Sequence, residues 1–435
     1  MKYAKNSSWL FVEKILRMVV VFFVGVWLAR YLGPEQFGLF SYAQSFVGLF
    51  MAVASLGLDG ILVRELLKDE SRRDQLMGTA FILKFIGAFL VIILLVFAIQ
   101  FTDNDTYTNT LIFIIALATF LHSFNVIDFY FQSRVLSKYT VYTRSVSLVI
   151  SSVVKIALIL NEATLIAFAW VVVLESLMLV IGYIYFYIKQ DSFISNTLSF
   201  SLFSWKFNLE TAKNILKDSW PLMFSFMAIA IYVRIDQVMI KEMLDAEAVG
   251  QYAAAVKLSE AWYFIPSVIA ASLFPAIINA KKKNKELYFT RLQKLYDLMV
   301  WMAIAIALPM TFLSDWIVDL VYGSQYSQAG TVLMIHIWTG IFVFLGIAFG
   351  QYLIAENFTK KALYRTLLGA GSNISFNYIL IPIYGINGAA VATLLGQFIA
   401  NYAYDFFDKD LHHQLKMKTM SFFPIHLLKG YKTNG

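Results

Sequence analysis

The chain is dominated by long apolar runs separated by short polar connectors. About twelve runs of roughly twenty apolar residues lie between residues 9 and 407, and each can cross the ~30 Å hydrocarbon core of a bilayer. Since an unpaired backbone amide is costly in lipid, such runs form α-helices. The sequence therefore predicts an all-α integral membrane protein with about twelve transmembrane helices. The predicted spans are 9–32, 39–62, 77–100, 110–131, 142–160, 164–188, 220–241, 250–279, 295–313, 330–354, 363–382 and 387–407.

The composition excludes several classes of protein. Hydrophobic residues make up 59% of the chain and charged residues 14%, whereas a soluble domain is about a quarter charged. The chain has no cysteine, so disulfides, zinc thiolate sites and thiol catalysis are excluded. The net charge of +7 resides in short connectors and not on one face of a soluble domain, which argues against nucleic-acid binding.

The connectors alternate in charge. Every second connector is basic, whereas the intervening connectors carry only Lys241. By the positive-inside rule, the basic connectors and both termini face the cytoplasm of a multi-pass protein. The basic connectors lie within 64–73, 134–144, 189–217, 281–294 and 360–365.

The spans divide into two related halves. We expect an N-terminal six-helix lobe at 1–188, a cytoplasmic connector at 189–219, a C-terminal six-helix lobe at 220–407 and a cytoplasmic tail at 408–435. Within the connector, 207–217 has the pattern of an amphipathic helix on the membrane surface, although a solvated linker also fits. LGPEQFG at 32–38 matches LDAEAVG at 244–250 in Leu, Glu and Gly. This repeat predicts two parallel lobes around a central cavity, which is a transporter architecture.

Six cations lie at membrane depth. Each costs roughly 2.5–3.5 kcal/mol at a helix centre, so we expect each to face a wet cavity, a partner or the interface. Near span ends, Arg30 and Lys84 have the alternative of extending to the headgroups. Helical spacing permits Arg17 to pair with Glu13, and Lys257 with Glu260. The candidate cavity cations, which would attract a polyanion such as a diphosphate, are Arg17, Arg234, Lys257, Lys155, Arg30 and Lys84.

Two intramembrane acids are candidates for ion coupling. Asp236 lies two residues from Arg234, on a different helix face, so the two cannot neutralise each other simply. It either pairs with another cation or takes part in ion coupling. Glu175 has no cation three or four residues away, so it is protonated, paired across helices or coupled to protons. Four small polar residues of the eleventh span either hydrogen-bond sugars or link helices: Ser372, Asn373, Ser375 and Asn377.

Four segments together resemble a known family. They are ARYLGPEQFGLFSYAQSFVGLF at 29–50, RIDQVMI at 234–240, VYGSQYSQAG at 321–330 and IPIYGINGAAVAT at 381–393. In this order they are similar to the Wzx-type polysaccharide flippases of the multidrug/oligosaccharidyl-lipid/polysaccharide (MOP) exporter superfamily.

The resemblance implies a specific cargo and location. A protein of this family would move undecaprenyl-diphosphate-linked oligosaccharide from the cytoplasmic to the outer leaflet of a bacterial inner membrane, for O-antigen or capsule synthesis. Its cavity cations would correspond to Arg17, Arg234 and Lys257. Membrane lipids, a polysaccharide polymerase and a chain-length regulator are the implied partners. No cofactor is implied, and the energy would come from a proton or sodium gradient or from the membrane potential.

Two other transport or enzyme functions remain open from the residues, and a structural subunit of a larger export complex is a third alternative. A small-molecule or drug antiporter of the same superfamily has the same topology, but its cargo is usually cationic, which a cation-rich cavity disfavours. A membrane-embedded polysaccharide polymerase or glycosyltransferase also handles lipid-linked sugars. Such an enzyme is expected to carry a long loop with catalytic residues, and the outer connectors here are short.

Overall fold

α-Helices form nearly all of the chain that the structure describes. The computed structural model describes residues 2–195 and 204–423, and no β-strand occurs within these ranges. The predicted all-α membrane class is confirmed. The helices in these ranges are α1 (Lys2–Ser55), α2 (Leu58–Lys68), α3 (Arg73–Ala98), α4 (Thr106–Leu121), α5 (Val126–Ser133), α6 (Ser137–Leu160), α7 (Leu165–Ser195), α8 (Leu209–Met243), α9 (Ala246–Glu260), α10 (Phe264–Lys283), α11 (Lys285–Tyr322), α12 (Ala329–His336), α13 (Thr339–Ala355), α14 (Thr359–Asn401) and α15 (His412–Ser421).

The number of spans differs from the prediction. Nine helical stretches in the described ranges are long and apolar enough to cross a bilayer, or ten if α12 and α13, bent by 40°, form one span. The count of twelve is therefore not confirmed. Two of the long helices contain a residue with non-helical backbone angles: Gly33 in α1 and Gly385 in α14. Each lies in a connector that the sequence predicts between two spans.

Glycine and capping residues define several helix ends. α1 ends at Ser55, and the positive φ angles of Leu56 (51°) and Gly57 (67°) redirect the chain into α2. The predicted span 39–62 is therefore broken. Asp245 accepts a hydrogen bond of 2.8 Å from the Ala248 amide and so caps α9, which satisfies an amide that has no partner within the helix.

The chain divides into two compact units. Within the described ranges, unit 1 contains residues 2–32, 39–195 and 204–234, and unit 2 contains residues 33–38 and 235–423. In unit 1, α2, α3, α5, α7 and the start of α8 share an apolar core that includes Leu62, Met77, Phe131 and Tyr187. In unit 2, α10, α11, α13 and α15 pack around Leu292, Tyr296, Leu345 and Met417.

The predicted amphipathic helix of the connector packs on protein. It forms the first part of α8, which begins at Leu209 and runs without interruption to Met243. Ala212 and Ile215, on its apolar face, are buried in the unit 1 core. Leu209, on the same face, is exposed, so this face packs on protein only in part, and its contact with the membrane surface stays a prediction. Residues 196–203 of the connector lie outside the described residues.

Residues 408–423 of the predicted tail are an integral part of unit 2. Helix α15 packs against α11, and its Lys418 is completely buried. Lys418 Nζ lies 2.8 Å from Asp405 Oδ2 and 2.8 Å from the Asn401 carbonyl oxygen. It also lies 3.3 Å from the centroid of the Phe349 ring. The partners therefore compensate for burying this charge. Residues 424–435 lie outside the described residues.

Candidate functional site

Arg17 lies in a network of charges in unit 1. Its Nε is 2.7 Å from Glu13 Oε1, one helical turn earlier in α1, which confirms the predicted local pairing. Its Nη1 lies 3.9 Å from Glu175 Oε1 in α7, and its Nη2 donates to the Arg144 carbonyl at 3.3 Å. The guanidinium of Arg17 therefore links α1 to two other helices of this unit.

Lys155 joins the same network through Glu175. Lys155 Nζ in α6 is 3.5 Å from Glu175 Oε2. The Ser147 hydroxyl donates to the backbone carbonyl of Glu175 at 2.8 Å, which fixes α7 against α6 at this level. Three residues that the sequence singled out, Arg17, Lys155 and Glu175, are thus brought together although they are distant in the chain. Of the possibilities for Glu175, the structure has the carboxylate paired across helices.

A second polar cluster borders this network. Arg144 Nη2 is 2.9 Å from Asp128 Oδ2, and Asp128 also accepts hydrogen bonds from Thr140 at 2.6 Å and from Gln132 at 3.1 Å. Arg144 lies where the predicted basic connector 134–144 meets the predicted span 142–160, and the structure has it within α6. A signal for the pair existed in Asp128 itself, because a carboxylate within the predicted span 110–131 requires a partner.

Lys84 is enclosed by protein and not extended to solvent. Its side chain is buried, and its Nζ lies 2.6 Å from Asp59 Oδ1 and 4.7 Å from the Phe129 ring centroid. The ion pair and the aromatic face both stabilise a buried ammonium group. Arg30, the other cation near a span end, is exposed at its position in α1.

Arg234 and Lys257 are both exposed. The side chain of Arg234 lies beside Gly48, where a Cβ added to the glycine would be 3.6 Å from Arg234 Nε. Lys257 Nζ, in unit 2, lies 4.3 Å from the centroid of the Phe37 ring. This distance corresponds to a cation–π contact.

Asp236 is buried in unit 2 among neutral hydrogen-bond donors. Its Oδ2 accepts hydrogen bonds from the Tyr252 hydroxyl at 2.9 Å and from the Thr393 hydroxyl at 2.6 Å. Its Oδ1 accepts from Asn377 Nδ2 at 2.6 Å. A buried carboxylate held by hydroxyl and amide groups is chemically suited to take up a proton or a small hard cation.

Two asparagines complete this cluster. Asn377 Nδ2 also donates to Asn373 Oδ1 at 3.1 Å, and both side chains are fully buried. The sugar-binding interpretation of Asn373 and Asn377 is therefore wrong, because their amides face Asp236 and each other. The sequence indicated the contact between the two asparagines only through their spacing of four residues, which places both on one face of α14. Among the residues that the structure describes, none forms a hydrogen bond with Asn373 Nδ2 or Asn377 Oδ1, so the amide groups have unused capacity beside the carboxylate.

The matching family profile covers most of the chain. The polysaccharide biosynthesis protein family matches residues 3–281, and the MatE family matches residues 221–379. An uncharacterized membrane protein of Methanocaldococcus jannaschii is 26% identical over 96% of this chain and 86% of its own length. The capsular polysaccharide biosynthesis protein CapF of Staphylococcus aureus is 21% identical, over 93% and 99%. A probable low-salt glycan biosynthesis flippase of Haloferax volcanii, Agl15, is 24% identical, over 91% and 81%.

Solved structures share the fold. An inward-facing MATE family multidrug resistance transporter of the MOP superfamily superposes with a TM-score of 0.71 at 14% identity, covering 96% of each chain. The lipid II flippase MurJ, in an inward closed conformation, gives a TM-score of 0.69 at 16% identity, covering 97% of this chain and 93% of its own. The chain therefore has the fold of the MOP superfamily and belongs to the polysaccharide biosynthesis protein family, as the resemblance to the Wzx-type flippases predicts.

Proposed function

We propose that the protein is a flippase for an undecaprenyl-diphosphate-linked oligosaccharide. It would move this cargo from the cytoplasmic to the outer leaflet of a bacterial inner membrane by alternating access. The observation that carries the proposal is the convergence of Arg17 and Lys155, both in membrane-spanning helices, on the single carboxylate of Glu175. The names of the relatives CapF and Agl15 support polysaccharide synthesis and glycan flipping as the setting.

The cargo has two parts with opposite solvation. Its diphosphate and sugars are too polar to cross lipid, whereas its polyprenyl tail is stable there. The protein therefore has to supply polar contacts for the head group only. Arg17 provides a planar fork of donors that fits phosphate oxygens, and Lys155 provides a point charge. Their side chains are 31% and 22% exposed, so the protein itself does not enclose them completely.

We assign different roles to the remaining four cations. We assign the exposed Arg234 and Lys257 to further contacts with the anionic head group. Arg30, also exposed, would contact the head group near one membrane face. Lys84 is buried against Asp59, so we assign it a structural role in holding α3 to α2.

Energy for net export would come from the membrane potential and an ion gradient. A potential that is negative inside drives an anion outward, at about 2.3 kcal/mol per charge and 100 mV. We assign ion coupling to Asp236, because its carboxylate lies among Tyr252, Thr393 and Asn377 with no cation among the hydrogen-bond partners given above. Rotating the Asn377 amide would turn its oxygen toward the carboxylate and provide a further oxygen ligand for Na⁺. A coupling role for Glu175 stays a prediction.

Leaflet-resolved transport tests the flippase function. The purified protein is reconstituted in liposomes with a polyprenyl-diphosphate oligosaccharide, and a lectin or glycosidase added outside reports the sugar that appears there. We expect protein-dependent appearance, and loss of it in Arg17→Gln/Lys155→Gln. Glu162→Gln serves as a matched control, because this residue is an exposed carboxylate between α6 and α7. Folded protein that moves no glycan under any ion gradient would refute the proposal.

The same liposomes test the two other functions. The MatE match at residues 221–379 favours drug antiport as the second candidate, which would appear as ion-driven uptake of a cationic dye. A polymerase would instead lengthen the glycan, which gel electrophoresis detects. In the proposed function, a separate polymerase and chain-length regulator receive the flipped units.

Asp236 and the membrane orientation require separate tests. Flipping is measured in sodium and in choline buffers, each at two imposed pH gradients, for the native protein and Asp236→Asn. We expect an ion dependence that Asp236→Asn removes and that Asp319→Asn, at an exposed position of α11, retains. Reporter fusions at each terminus would locate both termini, which we place in the cytoplasm.

A further inference from the structure

Glu175 is held loosely between two cations. Its Oε1 lies 3.9 Å from Arg17 Nη1, and its Oε2 lies 3.5 Å from Lys155 Nζ. Strong charge-assisted hydrogen bonds are shorter, at about 2.7–2.9 Å. Glu13, the other carboxylate at Arg17, makes such a contact at 2.7 Å. The two acids of this network therefore differ in how tightly they hold their partner.

The acid with the longer contacts, Glu175, is also the more exposed of the two. The side chain of Glu13 is 5% exposed, whereas that of Glu175 is 26% exposed. A partly hydrated ion pair is worth little and is readily exchanged, whereas separating a buried one is costly. Glu13 thus fixes the guanidinium of Arg17 in place, and Glu175 is the partner that can be replaced.

The formal charges of the network cancel. Glu13 and Glu175 balance Arg17 and Lys155, and the adjacent Arg144 is paired with Asp128 at 2.9 Å. An incoming diphosphate would bring at least two further negative charges next to Glu175. Like charges at this spacing repel strongly when they are partly desolvated. A diphosphate can therefore bind both cations well only if the carboxylate of Glu175 leaves.

Movement of this one side chain suffices. The backbone of Glu175 is fixed, because its carbonyl accepts a hydrogen bond from Ser147 at 2.8 Å. A change of rotamer moves the carboxylate without moving α7. The vacated space lies between a guanidinium and an ammonium group, which are the groups that bind phosphate oxygens.

We propose that Glu175 is a built-in counter-anion, which occupies the Arg17–Lys155 pair in the unloaded protein and is displaced by the diphosphate of the cargo. This inference rests on the proposed function and adds a selection step to it. A diphosphate contacts both cations at once, and these contacts offset the free energy that is lost when Glu175 is displaced. A neutral sugar lipid cannot do so, and neither can a lipid with a single weak charge, so Glu175 discriminates against them.

Binding measurements on the whole protein test this proposal. The full chain is placed in nanodiscs of phosphatidylcholine and titrated with inorganic pyrophosphate, farnesyl diphosphate and farnesyl monophosphate. Pyrophosphate and farnesyl diphosphate separate a free diphosphate from a lipid-linked one. We expect Glu175→Gln to bind both diphosphates at least about fivefold more tightly, which is the size of a modest coupling between competing ligands. The gain should be smaller for the monophosphate.

Matched variants distinguish displacement from other effects of the substitution. Glu162→Gln removes a carboxylate from the same unit outside the network, and its affinity should equal that of the native protein. In Arg17→Gln/Lys155→Gln, adding Glu175→Gln should give no gain, because the cations for which it competes are gone. If Glu175→Gln does not fold, Glu175→Asp draws the carboxylate back by one methylene group, and it should also bind diphosphates more tightly.

The outcomes separate this inference from the proposed function. Tighter binding in Glu175→Gln or Glu175→Asp, abolished in the cation variant, supports the counter-anion. Unchanged or weaker binding in those variants, while Arg17→Gln and Lys155→Gln each lose affinity, overturns the counter-anion and leaves the flippase proposal intact. If the affinity for diphosphate is the same in Arg17→Gln and in Lys155→Gln as in the native protein, both the counter-anion and the assigned head-group site are overturned.

Discussion

Gly38 and Gly250 lie at a reciprocal backbone crossing in unit 2. A Cβ added to Gly38 would be 1.7 Å from the Ala246 carbonyl oxygen, and one added to Gly250 would be 1.9 Å from the Pro34 carbonyl oxygen. In the matched segments 32–38 and 244–250, Pro34 corresponds to Ala246 and Gly38 to Gly250. The two copies of the repeat therefore contact each other through equivalent residues, as local two-fold symmetry requires.

Alanine at either glycine of this crossing should destabilise the protein. The obstructing atoms belong to backbone and cannot rotate away, so Gly38→Ala and Gly250→Ala should each cost about 1–3 kcal/mol or more. Gly60→Ala is the control, since nothing lies within 4 Å of a Cβ there. Thermal unfolding in detergent measures the effect. Native stability in both crossing variants would contradict the close approach.

Separating the Lys418–Asp405 pair should destabilise unit 2. Lys418→Met leaves Asp405 charged and buried without its cation, at a cost of about 3–5 kcal/mol. Lys418→Met/Asp405→Leu removes both charges and should recover most of this loss. Asp410→Asn, which loosens an exposed contact to Lys361, should leave the melting temperature unchanged. A double variant as unstable as the single one would refute this interpretation.

Lys418 should also make the stability of unit 2 depend on pH in the alkaline range. Burial lowers the pKa of Lys418 from its ordinary 10.5 to about 8, and Asp405 opposes only part of this change. Between these values the unfolded chain binds more protons, so stability should rise with pH from about 8 to 10.5 and stay flat below. Melting temperatures across this range measure the slope. Lys418→Met/Asp405→Leu should lack this contribution, and an equal slope in that variant would contradict the assignment.

Reversing the charge of Arg234 should abolish export. Arg234→Glu places a carboxylate where we expect the diphosphate, while exposure of the side chain leaves membrane insertion and abundance near native. The loss in flipping rate should be at least about tenfold, as for a like-charge contact to the cargo. Lys282→Glu, an equal reversal at an exposed position of α10, should flip normally. Full activity of Arg234→Glu would remove this residue from the site.

Removing one donor to Asp236 should change the ion affinity of this carboxylate without unfolding the protein. Thr393→Val keeps the shape of the side chain but deletes the hydroxyl that donates to Asp236, at a cost of about 1–3 kcal/mol. The ion concentration that gives half-maximal flipping should fall, because the deleted hydrogen bond stabilises the ion-free carboxylate. Thr366→Val is the matched control in α14, because its hydroxyl donates to the Ala362 backbone carbonyl. An equal response of both variants would argue against Asp236 as the coupling group.

Local spacing predicted some contacts of the charged residues and missed others. The pairing of Glu13 with Arg17 follows from four residues along one helix. The convergence of Arg17, Lys155 and Glu175 does not, because it requires α1, α6 and α7 to pack at matching heights. For Asp236, the sequence predicted either an ion pair with another cationic side chain or a role in ion coupling. The structure instead places Tyr252 and Thr393 against it, from positions up to 157 residues away.

The sequence by itself determined that this chain lies in a membrane, that it is helical and that it belongs to a family of polysaccharide biosynthesis proteins. These properties follow from apolar length, the cost of unpaired backbone in lipid, and local motifs. Only the tertiary structure decided that Lys84 is buried against Asp59, that α15 packs against α11 with Lys418 buried, and that Glu175 lies between two cations. Each of these contacts depends on which faces of the helices pack together. Helix packing decides this through contacts between residues that are distant in the chain, so local spacing does not reveal it.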